Sequence, residues 1–306
     1  MIQYARLWPG PAFRPLRAVF YYAQRLVTVP LLRRMISLTL ALAVNALQRR
    51  WPAQRTDAVG SRVLHELKTN GVALLTPLAT AGGLDTIVDY FRQQQVIGPD
   101  GRRTAFSALP EGTPAAAYDL QTVVNCPGLL ELVNSPDVLQ IVEAYLGCKP
   151  TLSSLGVRWS LPAGGEAAHF QRFHRDVDEW RFLKLFVYLT EVDAQSGPHC
   201  YVCRSHHRAF SVRAHAYGPG EVEARYGAQH LTTIAGPRGT TFLADTLGVH
   251  RGGTVSERPR LILQAQYSIL PVFAFSYAPA PHTGAKLDRY INRLIVRSAA
   301  VAVGPA

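Results

Sequence analysis

His174 and Asp176 stand two residues apart in the stretch that runs from Phe170 to Asp193. In an extended strand, residues i and i+2 project from the same face and lie about 6.6 Å apart. An imidazole and a carboxylate at that spacing can converge on one metal ion. The pair is therefore the first candidate for a metal site, and the alternative is an ordinary ion pair at a strand end.

A third ligand has to come from a distant part of the chain, and His250 is the best candidate. It follows one apolar run and precedes the strand candidate that begins at Leu261. Two histidines and one carboxylate on one side of a metal form the facial triad of non-haem Fe(II) oxygenases, which leaves three coordination positions open. His250 competes for this role with other histidines of the second half of the chain, namely His199, His206, His207, His215 and His230.

Arg260 follows His250 in sequence and directly precedes the apolar run Leu261 to Leu263. An Arg that enters a strand there can direct its planar guanidinium at the far carboxylate of an organic acid, for which Arg is better shaped than Lys. Arg251 and Arg258 are its rivals. Pro259 favours an extended backbone at Arg258, and Arg260 is preferred because it adjoins the strand.

The order H-x-D, then a distant His, then Arg resembles the phytanoyl-CoA dioxygenase family of Fe(II)- and 2-oxoglutarate-dependent oxygenases. The segment Phe186 to His199 is similar to the family's strand and turn after the first two ligands, and Val202 to His207 is similar to its Pro-Gly-Ser-His turn. The resemblance covers about residues 70 to 270. The chain departs from the family at Cys203 and Arg204, where Pro and Gly are expected.

The resemblance implies that Fe(II) binds His174, Asp176 and His250, that the co-substrate 2-oxoglutarate pairs with Arg260, and that O2 is the oxidant. The expected reaction is hydroxylation of a small, apolar or lipid-like molecule, with release of succinate and CO2. Related halogenases lack the carboxylate ligand. Because Asp176 is present, hydroxylation is favoured over halogenation.

Further pocket residues are also implied by the resemblance. Lys184, Phe186 and Tyr188 share one face of a predicted strand, and the Phe186 position often forms an aromatic wall of the co-substrate pocket. Gly252 stands where the family often has a hydroxyl residue. Thr254 is the candidate to replace that contact with 2-oxoglutarate.

Two alternatives stay open beside hydroxylation. The same cofactors support desaturation, epimerisation or cyclisation in a biosynthetic pathway. A different class of function is a non-catalytic barrel that binds a membrane surface or a partner. Family analogy does not choose among them, and the sequence leaves the substrate and the oligomeric state open.

Short strands separated by turn residues follow one another from Thr151 onward. They predict a mainly β fold with flanking helices, in which the core is an antiparallel double-stranded β-helix of the jelly-roll or cupin-like type. The clearest strand candidates are Thr151 to Leu161, Leu183 to Leu189, Cys200 to Cys203, Thr240 to Ala244 and Leu261 to Ile269.

Helical spacing and turn residues divide the rest of the body. The pattern predicts a surface loop from Val96 to Ala117 and a strand from Gly71 to Thr76. It also predicts helices at Ser61 to Thr69, Leu84 to Gln94, Ser135 (as N-cap) to Gly147, Glu221 to Tyr226 and, at the C-terminus, Gly284 to Ser298.

The formal charge of +11 is concentrated at one end of the chain. Residues 1 to 55 contain nine arginines and no Lys, Asp or Glu, so residues 56 to 306 carry only +2. A body with so little excess charge does not predict nucleic-acid binding. We expect an Arg-rich amphipathic helical extension over residues 1–55 and an oxygenase domain over residues 56–306.

The N-terminal extension has an apolar run from Met35 to Leu47, which is shorter than the roughly 20 residues of a bilayer span. A transmembrane helix and a secretory signal are therefore not expected. Three interpretations stay open: an amphipathic helix at an anionic membrane surface, an extension that packs on the body or on a second subunit, and an organelle-targeting segment.

Four cysteines are too few for a disulfide framework in 306 residues, which indicates a reducing, cytoplasmic location, with membrane association through the extension as one option. Cys200 and Cys203 form a C-x-x-C, but a structural zinc site normally needs a second ligand pair. Buried free thiols are the expected state of both.

Overall fold

The computed structural model describes residues 3–48, 57–163, 172–213, 215–284 and 286–298. The predicted domain boundary at residues 55 and 56 lies outside the described residues. Within these ranges the α-helices are α1 (Pro15–Leu26), α2 (Pro30–Leu47), α3 (Ala58–Asn70), α4 (Ala81–Arg92), α5 (Leu120–Val124), α6 (Leu129–Val133), α7 (Pro136–Leu146), α8 (Pro219–Tyr226) and α9 (Arg289–Asn292).

The strands of the same ranges are mostly short, as the sequence predicts. They are β1 (Gln3–Tyr4), β2 (Val72–Leu75), β3 (Val96–Ile97), β4 (Arg103–Thr104), β5 (Ala115–Ala117), β6 (Thr151–Ser160), β7 (Phe182–Tyr188), β8 (His199–Val202), β9 (Leu231–Ile234), β10 (Thr241–Ala244), β11 (His250–Gly252), β12 (Arg260–Ser268), β13 (Phe275–Ser276), β14 (Ala280–His282) and β15 (Val296–Ser298).

Two antiparallel sheets form the core. The large sheet has the strand order β2-β10-β7-β12-β6-β5-β3-β4, and the small sheet has the order β11-β8-β9. Phe186, Tyr188 and Phe242 of the large sheet pack with Tyr201 and Ile234 of the small sheet in one buried cluster. The predicted double-sheet jelly-roll core with flanking helices is therefore confirmed.

Strand β7 is buried on both faces, and its side chains alternate between two environments. Leu183, Leu185 and Val187 belong to the main core, which they share with the helices. Lys184 and Phe186 point to the opposite face, because successive side chains of a strand project to opposite sides. The predicted shared face of Lys184 and Phe186 therefore looks into the space between the two sheets.

The helix that follows Ser135 matches its prediction in extent. Pro136 takes the first helical position, and Gly147 ends the helix in the left-handed conformation with φ of 82°. This conformation favours glycine because it has no Cβ to clash. Ser135 is the N-cap residue, as predicted, although its side chain makes no capping hydrogen bond.

Two other local predictions differ from the structure. The predicted loop from Val96 to Ala117 contains β3, β4 and β5, which extend the large sheet at one edge. The predicted C-terminal helix is reduced to α9, and the chain then forms β15, which pairs in parallel with β14. Strand pairing with a distant segment replaces helical turns that the local apolar spacing favours.

Helices α1 and α2 form the described part of the N-terminal extension, and both pack on the body. Ala41 and Val44 of α2 join the main core, and Asn45 donates a hydrogen bond of 2.8 Å to the carbonyl of Gly147. Helix α2 has 18 residues and is long and apolar enough to cross a membrane by length and composition alone. Its packed face places it along the protein surface.

Candidate metal centre

Backbone pairing brings the two halves of the candidate site together. The amide of His174 donates to the carbonyl of His250, and the amide of His250 donates back to His174, both at 2.9 Å. The amide of Asp176 donates to the carbonyl of Thr246, also at 2.9 Å. These bonds hold the segment from His174 to Asp176 beside the start of β11, although the two segments are far apart in sequence.

The ligand atoms of His174, Asp176 and His250 all lie within 4.8 Å of one another. Nε2 of His174 is 3.7 Å from Oδ1 of Asp176, and Nε2 of His250 is 3.4 Å from Oδ2. Two atoms that each lie about 2.1 Å from one metal can be at most about 4.2 Å apart. The three side chains could therefore hold one cation after small adjustments.

The other ring nitrogen of each histidine already has a partner. Nδ1 of His174 is 2.8 Å from the carbonyl oxygen of Arg172, and Nδ1 of His250 is 3.0 Å from that of Gly248. A carbonyl only accepts, so each Nδ1 carries the proton and donates. Both Nε2 atoms then keep their lone pairs for a metal, an arrangement typical of ligating histidines.

Lys184 lies against the carboxylate of this group. Its Nζ is 2.7 Å from Oδ2 of Asp176 and 3.3 Å from Oδ2 of Asp178. The ammonium lies between two half-buried carboxylates and offsets part of their negative charge. Lys184, which the sequence places among the pocket residues, thus contacts a predicted ligand directly.

Burial and neighbouring charges determine the protonation states of His174 and Asp176. Burial and the neighbouring His250 lower the pKa of His174 to about 4, so its imidazole is neutral near pH 7. Burial alone would raise the pKa of Asp176, but Lys184 and then His250 hold it well below its usual range. A neutral imidazole and an ionised carboxylate are the forms that bind metal ions.

Arg260 is fully buried at the start of β12, with 2% of its surface exposed. One terminal nitrogen donates to the carbonyl of Gly197, and the other donates to Oγ of Ser160 at 3.2 Å. Its rival Arg258 is exposed and pairs with Asp193. Of these two arginines, Arg260 is therefore the one inside the barrel.

His199 is a pocket residue that the sequence analysis considers only as a rival third ligand. Its ring stacks on His250 with centroids 5.5 Å apart and lies 5.0 Å from Phe186. Burial lowers its pKa well below the ordinary value, and the charges of His250 and Arg260 lower it further. His199 is thus close to both the triad and Arg260, and its Nε2 is buried with no hydrogen-bond partner.

The alternation of side chains along β8 could have identified His199 as a pocket residue. His199 begins β8, and it shares one face with Tyr201, which packs between the sheets. Phe186 contacts the same imidazole, as expected of a wall of this pocket. Thr254 is exposed, and its contact with 2-oxoglutarate stays a prediction.

The turn after β8 replaces the family's glycine with Arg204. This arginine adopts the left-handed conformation with φ of 65°, which carries a conformational cost for a residue with a Cβ. The hydroxyl of Ser205 in the turn accepts a hydrogen bond of 2.7 Å from the amide of Val249. The turn therefore supports the residue next to His250.

Cys200 and Cys203 are free thiols, as predicted. Sγ of Cys203 is 3.2 Å from the hydroxyl of Thr232. In the described part of the chain, the group of side chains able to hold a metal is His174, Asp176 and His250.

A cavity of about 160 Å³ lies beside His174. Its walls combine apolar and cationic side chains: Val177, Phe210 and Tyr217 with Arg25, Arg175 and Arg213. Arg25 belongs to α1, so the N-terminal extension forms part of this wall. The cavity gives access to one predicted ligand from outside the barrel.

Comparison with known proteins identifies the fold. No protein-family model matches the sequence, and no curated protein matches it. Among solved structures, EctD from S. alaskensis with bound Fe is similar over 81% of this chain and 91% of its own, with 14% identity and a TM-score of 0.53.

The non-heme alpha ketoglutarate dependent epimerase SnoN from nogalamycin biosynthesis is similar over 69% of this chain and 80% of its own, with 17% identity and a TM-score of 0.51. A second SnoN structure, in complex with Fe3+, alpha ketoglutarate and nogalamycin RO, has a TM-score of 0.50. At such low identity the likeness concerns the fold. This chain has the jelly-roll fold that these 2-oxoglutarate-dependent enzymes share.

Proposed function

We propose that the protein is an Fe(II)- and 2-oxoglutarate-dependent dioxygenase that hydroxylates a small, lipid-like molecule, with release of succinate and CO2. The observation that carries the proposal is the convergence of His174, Asp176 and His250, with the Nδ1 atom of each histidine at a backbone carbonyl and its Nε2 atom facing the carboxylate. Enzymes of the same fold that hold iron and alpha ketoglutarate support it. The sequence resemblance to the phytanoyl-CoA dioxygenase family supports the same proposal.

The donor set fits the proposed metal. Two neutral imidazoles and one carboxylate form the ligand set of non-haem Fe(II) oxygenases. His174, Asp176 and His250 would hold the iron, and the bound iron with O2 and 2-oxoglutarate would supply the oxidising power for C–H hydroxylation. The contributions of the chain are to orient these ligands through the carbonyls of Arg172 and Gly248 and to exclude bulk water.

The co-substrate would lie between the triad and Arg260. Arg260 is buried, and its hydrogen-bond partners are neutral groups: the carbonyl of Gly197, the hydroxyl of Ser160 and the phenol of Tyr188. A dicarboxylate would supply the negative charge that this guanidinium lacks. Phe186 and His199 would form the walls of this space, since they contact each other and His199 stacks on His250.

The cavity beside His174 supports an amphipathic substrate. Apolar walls from Val177 and Phe210 suit a hydrocarbon part, and the cationic groups of Arg25 and Arg213 suit an acidic group. A lipid-like acid satisfies both requirements. We assign the protein to the cytoplasm and place residues 1–55 at a membrane surface, where such molecules reside.

Metal binding provides the first test. Asp176→Asn should weaken Fe(II) binding under anaerobic conditions by more than roughly 100-fold, because it removes the anionic ligand. Asp178→Asn is the matched control, since Asp178 also contacts Lys184 but is not a predicted ligand. Calorimetric titration measures both. Equal affinities in the two variants would overturn the assignment of Asp176.

Product mass provides the second test. The protein is incubated with Fe(II), 2-oxoglutarate and a panel of lipid-like acids, and succinate and product masses are recorded. A gain of one oxygen supports hydroxylation, whereas a loss of two hydrogens or an unchanged mass with a new isomer favours desaturation, cyclisation or epimerisation. If an iron-loaded protein released no succinate with any substrate, the non-catalytic alternative would replace the proposal.

A further inference from the structure

A second cavity lies between the N-terminal extension and the body, and its lining does not include the predicted metal ligands. Its volume is about 390 Å³. Four cationic side chains line it, together with one carboxylate: Arg33, Arg34, Lys68, Arg181 and Asp245. The carboxylate is already engaged, because Asp245 accepts hydrogen bonds from the hydroxyl of Tyr145 at 2.6 Å and from the amide of Leu247 at 3.0 Å.

The positive charges of this cavity are not balanced within the described residues. Arg34, Lys68 and Arg181 form no salt bridge there, and Arg181 instead lies over the ring of Tyr145 at 4.4 Å. Burial lowers the pKa of Lys68, and the charges of Arg181 and Arg34 lower it further. The carboxylates of Glu179 and Asp245 act on Arg33, but the cationic side chains outnumber the carboxylate in the lining. Such an excess of positive charge indicates a place for an anionic ligand.

His206 provides an independent observation at the same cavity. Its side chain is 6% exposed, and neither ring nitrogen makes a hydrogen bond of ordinary geometry. Buried polar groups usually have partners. Among the described residues the backbone of Lys68 is the one group that bonds this imidazole, so the ring can offer a further polar contact to a molecule bound in the cavity.

The cavity opens next to an apolar surface on α2. Leu31, Met35, Leu38 and Leu42 recur at helical spacing, and their exposed fractions are between 45% and 66%. Leu31 also lines the cavity. The face that α2 packs on the body combines the polar side chains of Arg33, Ser37 and Asn45 with the smaller apolar side chains of Ala41 and Val44. Helix α2 thus presents its hydrophobic face to solvent, which is unusual for a monomeric protein in water.

The charge of the N-terminal extension indicates which partner covers the exposed apolar face of α2. Residues 1 to 55 carry nine arginines and no acidic residue, so a second copy of the chain would bring like charges together. An anionic bilayer offers both apolar tails and negative head groups. We propose that the cavity binds the phosphate of an anionic phospholipid while the exposed leucines and methionine of α2 enter the same membrane surface.

Vesicle binding by the full chain tests this proposal. We expect sedimentation with vesicles that contain roughly a quarter phosphatidylglycerol and little with phosphatidylcholine alone. Arg34→Gln combined with Lys68→Gln should weaken binding at least roughly tenfold, because each basic contact contributes about fivefold. Arg62→Gln with Arg102→Gln removes the same charge from exposed positions outside the cavity, and binding should change less than roughly threefold.

A second variant examines the apolar face. Met35→Ser with Leu38→Ser replaces two exposed side chains and should reduce vesicle binding without changing the circular dichroism spectrum. Thermal shifts with inorganic phosphate and glycerol phosphate distinguish a soluble ligand from a lipid.

Three outcomes would overturn the proposal: no binding to anionic vesicles, equal losses in the cavity pair and the control pair, or stabilisation by soluble phosphates without vesicle binding. Vesicle binding does not require metal. Its failure in a protein that still binds Fe(II) would overturn the membrane placement of the N-terminal extension and leave the proposed oxygenase chemistry intact.

Discussion

Arg260 and Arg258 stand two positions apart but occupy opposite environments. Arg260 is buried at the start of β12, whereas Arg258 is exposed and pairs with Asp193. Only a buried guanidinium can form a strong, water-excluded pair with a co-substrate carboxylate. The two residues therefore provide a matched comparison for the proposed 2-oxoglutarate site.

Arg260→Lys should raise the dissociation constant for 2-oxoglutarate roughly 10- to 100-fold, since an ammonium cannot reproduce a bidentate charge-assisted pair worth about 1.5–3 kcal/mol. Fe(II) affinity should stay within about threefold of the wild type. Arg258→Lys should leave both constants unchanged. Calorimetry with the iron-loaded protein under anaerobic conditions measures them, and an equal effect of both substitutions would contradict the role of Arg260.

Glu179 is a buried acid near the H-x-D segment, with 1% of its surface exposed. Burial raises its pKa from the ordinary value of 4.5 to about 7, although hydrogen bonds from the backbone amides of Arg181 and Trp180 oppose this increase. A raised pKa in the folded state means that its contribution to stability is fully present below pH 4.5. That contribution is lost as the pH rises towards 7.

Glu179→Gln should therefore stabilise the protein at pH 8 by on the order of 2 to 3 kcal/mol, since each unit of pKa shift corresponds to about 1.4 kcal/mol. Near pH 4.5 the variant and the wild type should have similar stability. Urea unfolding across this range measures the difference, with the exposed Glu191→Gln as control. A difference that does not change with pH would contradict the raised pKa.

At the scale of elements, the turn from Arg204 to His207 holds the strand next to the metal centre. A non-glycine residue with φ of 65° is strained. Arg204→Gly should raise the free energy of unfolding by about 1 kcal/mol, measured by urea denaturation. Arg208 has φ of −97°, so Arg208→Gly should instead destabilise by a few tenths to about 1 kcal/mol. Destabilisation by both substitutions would show that Arg204 is not strained.

Local patterns predicted the elements that depend on local physics. The side chains of β7 alternate between two faces because of the two-residue period of a strand. The helix α7 ends at Gly147 because glycine adopts the left-handed conformation. Both predictions are confirmed. The parallel pairing of β15 with β14 and the contact between His199 and His250 depend on segments far apart in sequence. Such tertiary contacts can override local helical spacing, so sequence periodicity did not predict them.

At the scale of the whole molecule, Arg33 connects the N-terminal extension to the segment that follows the predicted metal ligands. Its guanidinium donates to the carbonyls of Gln24 and Val27 within the extension, and to those of Glu179 and Trp180 in the body. The side chain is 3% exposed. One buried cation therefore satisfies carbonyl groups from both parts of the chain.

Arg33→Ala should lower the free energy of unfolding by about 2–4 kcal/mol, because it leaves buried carbonyls without donors. The helices α1 and α2 should open more often, so trypsin should cleave after Arg17 or Arg25 roughly tenfold faster or more. Arg34→Ala removes the neighbouring but exposed arginine and should leave the cleavage after Arg17 and Arg25 nearly unchanged. Equal cleavage rates in the two variants would show that the extension is held by its apolar contacts alone, since Ala41 and Val44 remain in place in both.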